Sequence, residues 1–310
     1  MPQSLVTGGA GFIGSHLVDG LLARGHQVRV FDDFSSGKRE NLRTVAGKVE
    51  IIEGTLTDPN RVAQAVAGCD FVFHLGAIPS VVKSVENPRT THDVTATGTL
   101  FILDAARRSG VKRVVYAGSS SAYGDQPGAT RTEDDALMPL SPYAAAKLAG
   151  ELYCASFTAS YALETVRLRL FNVFGPRQDA ASPYSGVIAL FIAAMSRGKT
   201  PTIFGDGLQS RDFVYVEDVV QAFIKASEVP GAGGKVYNIG TGGSVTVLDL
   251  VHHLNQILGT SISAKHEPVR AGDVRYSQAD ITRARKELGF ALTVCFPEGL
   301  RRTVQWLAEA

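Results

Sequence analysis

Short runs of apolar, β-branched residues alternate with helical segments through the first two thirds of the chain, and this alternation constrains the fold most. The runs lie at residues 4–6, 28–31, 49–52, 71–73, 114–116 and 165–168, with helical patterns at 14–24, 60–67 and 99–109. Strands that alternate with helices in this way form βαβ units around a parallel sheet. Because helices cover both faces of such a sheet, its strands are apolar almost throughout. The sequence therefore predicts an α/β protein.

A glycine-rich turn follows the first apolar run and opens the first helix. It reads as Gly9-x-Gly11-x-x-Gly14 and also as Gly8-x-x-Gly11-x-x-Gly14. Such a turn lets a pyrophosphate approach the backbone at the positive end of the helix. Asp32 ends the second predicted strand, 18 residues after Gly14, where a carboxylate can accept hydrogen bonds from an adenosine ribose. These features predict a Rossmann-type doubly wound parallel sheet with NAD as cofactor.

Two basic residues keep NADP open as an alternative cofactor. Asp32 would repel the 2′-phosphate of NADP, which favours NAD. Lys38 and Arg39 follow Asp32 closely in the sequence, however, and basic side chains there could accept that phosphate.

A tyrosine and a lysine stand four residues apart in the segment SPYAAAKLAGE. Ser141 is a suitable N-cap residue and Pro142 a suitable first helical residue. Positions i and i+4 share one helix face, so Tyr143 and Lys147 point in the same direction. A serine run at residues 119–121 follows an earlier strand. Together with a nucleotide-binding sheet, these residues indicate a catalytic Ser-Tyr-Lys set.

The lysine gives this set a physical rationale. A tyrosine has a reference pKa near 10, so a base active near pH 7 needs a shift of about 3 units, or about 4 kcal/mol. A lysine ammonium about 4 Å away supplies roughly that much at an effective dielectric near 20. We expect Tyr143 to remove a hydroxyl proton, Lys147 to hold the tyrosinate and the cofactor ribose, and Ser119 to bond the reacting oxygen. His74 receives no chemical role and is interpreted as a packed, hydrogen-bonded neighbour.

Composition excludes several classes of protein. The 310 residues include 31 lysines and arginines against 30 aspartates and glutamates, a formal net charge of +1, so nucleic acid is not an expected partner. No stretch reaches the roughly 18 apolar residues that span a bilayer, and no signal sequence precedes the first strand. We expect a cytoplasmic protein without membrane contact. Cys69, Cys154 and Cys295 lack metal spacing, which predicts reduced thiols and no metal site.

The pattern of the sequence becomes less regular after about residue 174. Glycine and proline punctuate the segments GPRQDAASPYSG, RGKTPTIFGDG and PGAGG that follow. We therefore expect an NAD-binding Rossmann domain at residues 1–174 and a smaller α/β substrate-binding lobe at residues 175–310, with a return of the chain to the first domain between residues 205 and 240. Asp280 and Gly289 bracket the segment ITRARKEL as the N-cap and C-cap of a helix.

Eight segments spread over the chain carry a family resemblance. They are TGGAGFIGSHL, HLGAIPSVVKSVENP, SSSAYGDQP, SPYAAAKLAGE, RLFNVFGPRQ, GDGLQSRDFVYVEDVV, NIGTG and AGDVRYSQAD. With them the chain resembles the extended short-chain dehydrogenase/reductase family, and within it the UDP-glucose and UDP-N-acetylglucosamine 4-epimerases. The resemblance implies that C4 of a UDP-linked hexose is oxidised by bound NAD and reduced again on the opposite face. It implies interconversion of UDP-glucose with UDP-galactose and of UDP-GlcNAc with UDP-GalNAc.

The resemblance also assigns binding roles. Phe204 would lie along the uracil, Arg211 and Arg270 would clamp phosphates, and Asp273 would hold the uridine ribose; the planar fork of arginine suits phosphate. The implied cofactor contacts are Gly8, Gly11, Phe12, Ile13, Gly14, Asp32, Asp33, Ser36, Gly37, Thr55, Leu56, Leu75, Gly76, Ala77, Tyr143 and Lys147. The implied substrate contacts are Ser119, Ser120, Ser121, Asn172, Gly186, Val187, Thr202, Phe204, Arg211, Arg270, Asp273 and Ser277.

The chain departs from related sequences at several positions. The segment 54–56 (Gly-Thr-Leu) stands where an acid usually meets the adenine, and Thr95 replaces a usual asparagine. Ser120 and Ser121 stand where related dehydratases carry an Asp-Glu pair, so elimination lacks its acid–base groups. Ser277 occupies the position that gates sugar size, and its small side chain leaves room for a 2-N-acetyl group.

Two other functions remain open. One is a UDP-glucuronate 4-epimerase or another epimerase or reductase of the same family, for which Arg177 and Arg197 are carboxylate-binding candidates by residue type alone. The other is a catalytically inactive NAD-binding protein, which should have lost Tyr143 or Lys147; both are present.

The resemblance further implies a homodimer. Related enzymes pair through two helices from each subunit, which correspond here to residues 89–109 and 143–160. The second helix carries Leu148, Leu152, Ala155 and Ala159 at helical spacing. These faces could instead simply cover the sheet, because every helix of an α/β protein needs an apolar stripe.

Overall fold

Seven parallel strands form the centre of this computed structural model, which describes residues 1–179, 186–269 and 274–309. In chain order the strands are β1 (Gln3–Thr7), β2 (Gln27–Asp32), β3 (Val49–Glu53), β4 (Phe71–His74), β5 (Arg113–Ser119), β6 (Thr130–Arg131), β7 (Glu164–Leu170), β8 (Asn172–Phe174), β9 (Thr202–Phe204), β10 (Ser210–Arg211), β11 (Phe213–Tyr215), β12 (Val236–Ile239), β13 (Val245–Thr246), β14 (Lys265–Glu267) and β15 (Tyr276–Ala279).

The central sheet has the strand order β3-β2-β1-β4-β5-β7-β12, and all its neighbouring pairs are parallel. Six of these strands were predicted from the apolar runs, whereas β12 was not. The order reverses between β1 and β4, and ligands of such sheets bind in the crevice outside the carboxyl ends of the strands at that point. The predicted α/β fold with a Rossmann-type parallel sheet is confirmed.

Helices cover both faces of this sheet. In chain order they are α1 (Phe12–Ala23), α2 (Pro59–Val66), α3 (Val81–Glu86), α4 (Pro88–His92), α5 (Gly98–Arg108), α6 (Pro142–Tyr161), α7 (Val187–Met195), α8 (Val216–Glu228), α9 (Val247–Leu258) and α10 (Phe296–Glu309). Helices α1 and α8 pack together on one face, and α2, α5 and α6 lie on the other. A helix expected at residues 89–109 is instead α4 and α5 joined by a π-helical turn, Asp93–Thr97.

A further apolar cluster lies beside the sheet. Side chains of α7, α9 and α10 pack there around Phe174, Phe213 and Tyr215. Smaller sheets flank this cluster, with the orders β13-β10-β15-β6, β11-β8 and β14-β9. Because β6 pairs with β15, the segment after β5 contributes directly to these smaller sheets. The division of the chain at residue 174 stays a prediction.

Local signals at helix ends behave as the sequence indicates. Ser141 caps α6 by accepting a hydrogen bond from the amide of Ala144, with Pro142 as the first helical residue. Asp280 accepts from the amide of Thr282, and Gly289, with a φ of 62°, ends the π-helical turn Ala284–Leu288 of the predicted helical segment. Cys69, Cys154 and Cys295 are free thiols, as predicted. Within the described ranges, no helix has the length and apolar character that crossing a membrane requires.

Candidate active site

The glycine turn forms a narrow cradle between β1 and α1. Gly8 has a φ of +67°, and a Cβ on Gly14 would lie only 2.1 Å from the Gly8 carbonyl oxygen. Gly11 is the N-cap residue of α1 and supplies no side chain to the first amides of the helix. These amides, which include those of Phe12 and Ile13, can therefore bind an anion at the positive helix end. The cradle fits the pyrophosphate of a dinucleotide.

Asp32 fixes the loop that follows β2. Its Oδ2 accepts a hydrogen bond of 2.9 Å from the amide of Ala10, and its Oδ1 accepts one of 2.9 Å from the amide of Phe34. Burial raises the pKa of this carboxyl, and the two amide bonds oppose the rise. A Cβ on Gly37 would lie 2.9 Å from Asp32 Oδ1. The loop that contains Asp33, Ser36 and Gly37 thus lies against the glycine turn.

The loop after β4 completes this edge. The amide of Gly76 donates to Thr7 Oγ1 at 3.1 Å, and a Cβ on Gly76 would lie 2.8 Å from Leu56 Cδ1. A Cβ on Gly8 would lie 3.0 Å from Gly76. The predicted contacts at Leu75, Gly76 and Ala77 and at Thr55 and Leu56 therefore border the glycine turn. We use the name cofactor edge for the glycine turn at residues 8–14, the loops at residues 32–37 and 75–77, and the start of α6 with Tyr143 and Lys147.

His74 is buried behind the cofactor edge and contacts two threonines. Its Nδ1 lies 2.7 Å from Thr7 Oγ1, and its Nε2 lies 2.9 Å from Thr99 Oγ1. Burial lowers the pKa of the buried imidazole to about 3, so it is neutral at physiological pH. The interpretation of His74 as a packed, hydrogen-bonded residue is confirmed.

Ser119, Tyr143 and Lys147 meet where β5 ends and α6 begins. Ser119 is the last residue of β5, and its hydroxyl lies 2.8 Å from the hydroxyl of Ser121. Ser119 also lies close enough to Tyr143 to lower the pKa of its phenol. Lys147 is only 4% exposed, and its Nζ lies 4.6 Å from the centre of the Tyr116 ring. Tyr143 and Lys147 share one face of α6, and Ser119 lies beside Tyr143.

Burial opposes the expected activation of the tyrosine. It raises the pKa of Tyr143, and the nearby Ser119 lowers it only in part. In the protein chain by itself, burial therefore dominates the pKa of Tyr143, and its activation by Lys147 together with the charge of NAD stays a prediction. Burial also lowers the pKa of Lys147 to about 8. A positive charge brought by a bound ligand would lower the pKa of Tyr143 further.

Sequence reasoning missed the buried polar residues around Lys147. Tyr116 donates its hydroxyl hydrogen bond to the Lys147 carbonyl at 2.9 Å. Glu151, one helical turn further, forms a buried ion pair with Arg169 at 2.6 Å. The position of Glu151 four residues after Lys147 was a visible signal, since i and i+4 share a face. Nothing local signals Arg169, because it lies on β7.

Three predicted substrate residues come together in one hydrogen-bonded strip. The amide of Asn172 donates to the carbonyl of Asp212 at 3.0 Å, and the amide of Asp212 donates to the carbonyl of Ser277 at 2.8 Å. Arg211 and Ser277 are register partners on the parallel strands β10 and β15. We call Asn172, Arg211, Asp212 and Ser277 the substrate strip.

Asp212 is the residue of this strip that sequence reasoning missed. It is fully buried, and its carboxylate accepts hydrogen bonds from the amides of Thr241, Gly242 and Ala279. It therefore ties the loop after β12 to β15. Its position next to Arg211 in the block GDGLQSRDFVYVEDVV was the available signal.

The other predicted substrate residues lie on separate elements. Thr202 and Phe204 are on β9, and the Phe204 carbonyl accepts from Gln209 Nε2 at 2.8 Å. Gly186 is the N-cap residue of α7 and Val187 its first residue. Ser120 and Ser121 lie in the short 3-10 helix after β5, whereas Arg270 and Asp273 lie outside the described residues.

The two arginines considered for a substrate carboxylate have other surroundings. Arg177 lies 2.7 Å from Asp19 of α1 and has a φ of 65°. Its Nη1 is buried without a partner among the described residues. Arg197 is exposed after the end of α7. A role of either arginine at a substrate carboxylate stays a prediction.

The fold and this group of residues define a Rossmann-type, dinucleotide-dependent enzyme. The sequence profile described as "NAD dependent epimerase/dehydratase family" matches residues 4–240. The chain belongs to this family, and NAD is its cofactor.

Individual relatives are similar over nearly their whole length. The UDP-glucose 4-epimerase of Mycolicibacterium smegmatis is 41% identical over 308 residues, 98% of each chain. A UDP-N-acetylglucosamine 4-epimerase from Methanobrevibacter ruminantium M1, solved in complex with UDP-N-acetylmuramic acid, has a TM-score of 0.95 at 39% identity and covers 99% of this chain and 98% of its own. The UDP-glucose 4-epimerase of Thermus thermophilus, solved with NAD, has a TM-score of 0.92 at 37% identity and 99% coverage of both chains.

Proposed function

We propose that this protein is a UDP-hexose 4-epimerase that interconverts UDP-glucose with UDP-galactose and UDP-GlcNAc with UDP-GalNAc through a transient 4-keto sugar. The observation that carries this proposal is the meeting of Ser119, Tyr143 and Lys147 beside a glycine cradle that fits a dinucleotide. The similarity to enzymes named UDP-glucose and UDP-N-acetylglucosamine 4-epimerase supports it.

The residues of the chain have distinct tasks in this reaction. Bound NAD supplies a hydride acceptor that also returns the hydride, and its nicotinamide brings a positive charge. Tyr143 takes the proton of the sugar 4-hydroxyl and gives it back, while Ser119 bonds the reacting oxygen. Lys147 stabilises the phenolate and holds the cofactor ribose. Because burial raises the pKa of Tyr143, the phenol should become an effective base only with the cofactor in place.

The serines after β5 favour epimerisation over elimination. Ser120 and Ser121 lie in the 3-10 helix directly after Ser119. Loss of water from the sugar needs an acid and a base at that point, and hydroxyl groups supply neither. A keto sugar formed here is therefore reduced again rather than dehydrated.

We propose the following binding residues. The cofactor contacts are Gly8, Gly11, Phe12, Ile13, Gly14, Asp32, Asp33, Ser36, Gly37, Thr55, Leu56, Leu75, Gly76, Ala77, Tyr143 and Lys147. The substrate contacts are Ser119, Ser120, Ser121, Asn172, Gly186, Val187, Thr202, Phe204, Arg211, Arg270, Asp273 and Ser277. The register of Arg211 with Ser277 supports a strip in which a phosphate contact and the sugar-size position lie side by side.

Incubation with single nucleotide sugars tests the proposal. The purified protein, without added NAD, is incubated separately with UDP-glucose, UDP-galactose, UDP-GlcNAc, UDP-GalNAc and UDP-glucuronate, and the anomeric region is followed by proton NMR. We expect interconversion within the two hexose pairs. Turnover of UDP-glucuronate alone would replace the proposed substrate class. No reaction with any sugar after addition of NAD would refute epimerisation of UDP-hexoses.

We also propose a homodimer formed through α5 and α6. Leu152 on α6 is 58% exposed, and a groove of about 450 Å³ between the helices is lined by apolar side chains that include Leu100, Phe101 and Phe157. Light scattering should give twice the chain mass of 33.0 kDa. Leu152→Glu should yield monomers, whereas Leu208→Glu, at a residue that is 51% exposed elsewhere, should not. A monomeric wild-type protein would contradict the dimer.

A further inference from the structure

Two cations lie beside the carboxylate that we place at the adenosine ribose, and each is already paired. Arg39 Nη2 is 2.5 Å from Glu53 Oε2, and Lys38 Nζ is 2.9 Å from Asp179 Oδ1. The guanidinium carbon of Arg39 also lies 4.0 Å from the centre of the Phe34 ring. Both basic side chains are therefore held by acidic residues from other segments of the chain.

The positions of these pairs relate them to cofactor choice. Glu53 ends β3 in register with Asp32 at the end of β2, so the two carboxylates stand on neighbouring strand ends. The amide of Lys38 donates to the carbonyl of Ala10 at 3.0 Å, which anchors the loop to the glycine turn. Arg39 and Lys38 thus lie at the border of the predicted ribose site.

The local charge disfavours a second phosphate. Asp32, Asp33, Glu53 and Asp179 carry four negative charges. Three positive charges stand against them, on Lys38, Arg39 and Arg61, whose Nη2 donates to the Glu53 carbonyl at 2.5 Å. In Rossmann folds an arginine near this carboxylate accommodates the 2′-phosphate of NADP, and arginine binds phosphate through paired hydrogen bonds. Arg39 already donates from Nη2 to Glu53, so it must give up this contact to offer both nitrogens of its fork to a phosphate.

We propose that Glu53 and Asp179 are cofactor-specificity residues, which hold Arg39 and Lys38 away from a 2′-phosphate and so exclude NADP. This inference rests on the proposed placement of the adenosine ribose at Asp32. Arg39 and Glu53 are each 60% exposed, and such exposed pairs contribute little to folding stability. Their effect should therefore appear in the choice of cofactor and not in the melting temperature.

A displacement experiment on the full chain tests the proposal. The protein is loaded with NADH, and its release by NAD⁺ or NADP⁺ is followed by nucleotide fluorescence, which gives the ratio of the two dissociation constants. Glu53→Gln should shift this ratio about tenfold toward NADP⁺, and adding Asp179→Asn should shift it further. Glu50→Gln is the matched control and should leave the ratio unchanged. Glu50 lies on β3 like Glu53, but away from the carboxyl end of the strand, and it pairs with Arg29 at 2.7 Å.

Two further variants separate the possible failures. Arg39→Ala in the Glu53→Gln background should cancel the gain, which would trace it to the released guanidinium. A ratio that stays within twofold in Glu53→Gln would overturn the inference, as would a gain that survives Arg39→Ala. Asp32→Asn tests the placement of the ribose itself: if it leaves the affinity for both cofactors unchanged, the placement fails and this inference fails with it. None of these binding outcomes bears on which sugar is turned over, so the proposed substrate class stands or falls separately.

Discussion

The cofactor edge and the substrate strip are built in different ways. At the cofactor edge, Gly8, Gly11 and Gly14 are close in sequence, and so are Tyr143 and Lys147, so backbone geometry alone brings each set together. The strip instead joins distant segments through Asp212, which lies 40 positions after Asn172. The glycine turn and the Tyr143–Lys147 pair are therefore encoded locally, although tertiary contacts add Ser119 and Gly76 to them. The proposed sugar site depends on tertiary contacts throughout.

Tyr143→Phe should have the largest effect and should act on every substrate alike. It removes the phenolic hydroxyl and preserves the ring, so the turnover rate should fall by about 10³-fold, in the range for a lost acid–base group. Initial rates by NMR and the NAD content of the protein are the measurements. Tyr161→Phe, at the exposed end of the same helix, is the control. Loss of activity on only one sugar pair would contradict the claim that the cofactor edge serves all substrates alike.

Gly14→Ala should damage the cofactor edge through backbone contact. The added Cβ would lie 2.1 Å from the Gly8 carbonyl oxygen, so the turn must open, at a cost of about 3 kcal/mol in free energy of unfolding. Thermal unfolding and the bound NAD per chain should both fall. Gly243→Ala, whose Cβ would meet no atom nearer than 3.5 Å, should behave like the wild type. Equal stability of the two variants would contradict the close approach of Gly14 to the Gly8 carbonyl.

Ser277→Tyr should affect the substrate strip alone and act on one substrate class. The larger side chain fills the space proposed for the 2-N-acetyl group, so turnover of UDP-GlcNAc and UDP-GalNAc should fall by about 100-fold or more, a difference of about 2.7 kcal/mol. UDP-glucose and UDP-galactose should be much less affected, and Ser277→Ala should leave both pairs active. Parallel initial rates on the four sugars provide the test, and equal loss on both pairs would refute the role of Ser277.

A more modest effect should come from pH. Because burial lowers the pKa of Lys147 to about 8, its ammonium is lost as the pH rises through that value, and turnover should decline by about tenfold per unit above it. Stability should move in the opposite direction. The unfolded chain keeps this proton to about pH 10.4, so between pH 8 and that value the unfolded state binds more protons and this group adds stability as the pH rises.

Initial rates and melting temperatures measured together from pH 6 to 10 separate these two trends. A descending limb near pH 8 in a protein that remains folded and loaded with NAD fits the role of Lys147. Turnover that stays constant to pH 10 would show that the reaction does not require the Lys147 ammonium.

The parts of the protein that could be predicted from the sequence are those with local causes. Six of the seven central strands, the glycine turn and the cap at Ser141 follow from periodicity, steric freedom and backbone hydrogen bonds. The raised pKa of Tyr143 could not be predicted, because it depends on how much water the fold removes. The partners of Asp212 and the pair of Glu151 with Arg169 were missed because they lie far apart in sequence.

The proposed mechanism requires that the hydrogen removed from C4 of the sugar returns to the same carbon. UDP-glucose that carries deuterium at C4 provides the decisive test, with the product recovered from protein in ordinary water and its C4 position examined by NMR. We predict UDP-galactose that retains the deuterium at C4. Product with protium at C4, or a dehydrated sugar in its place, would contradict this mechanism.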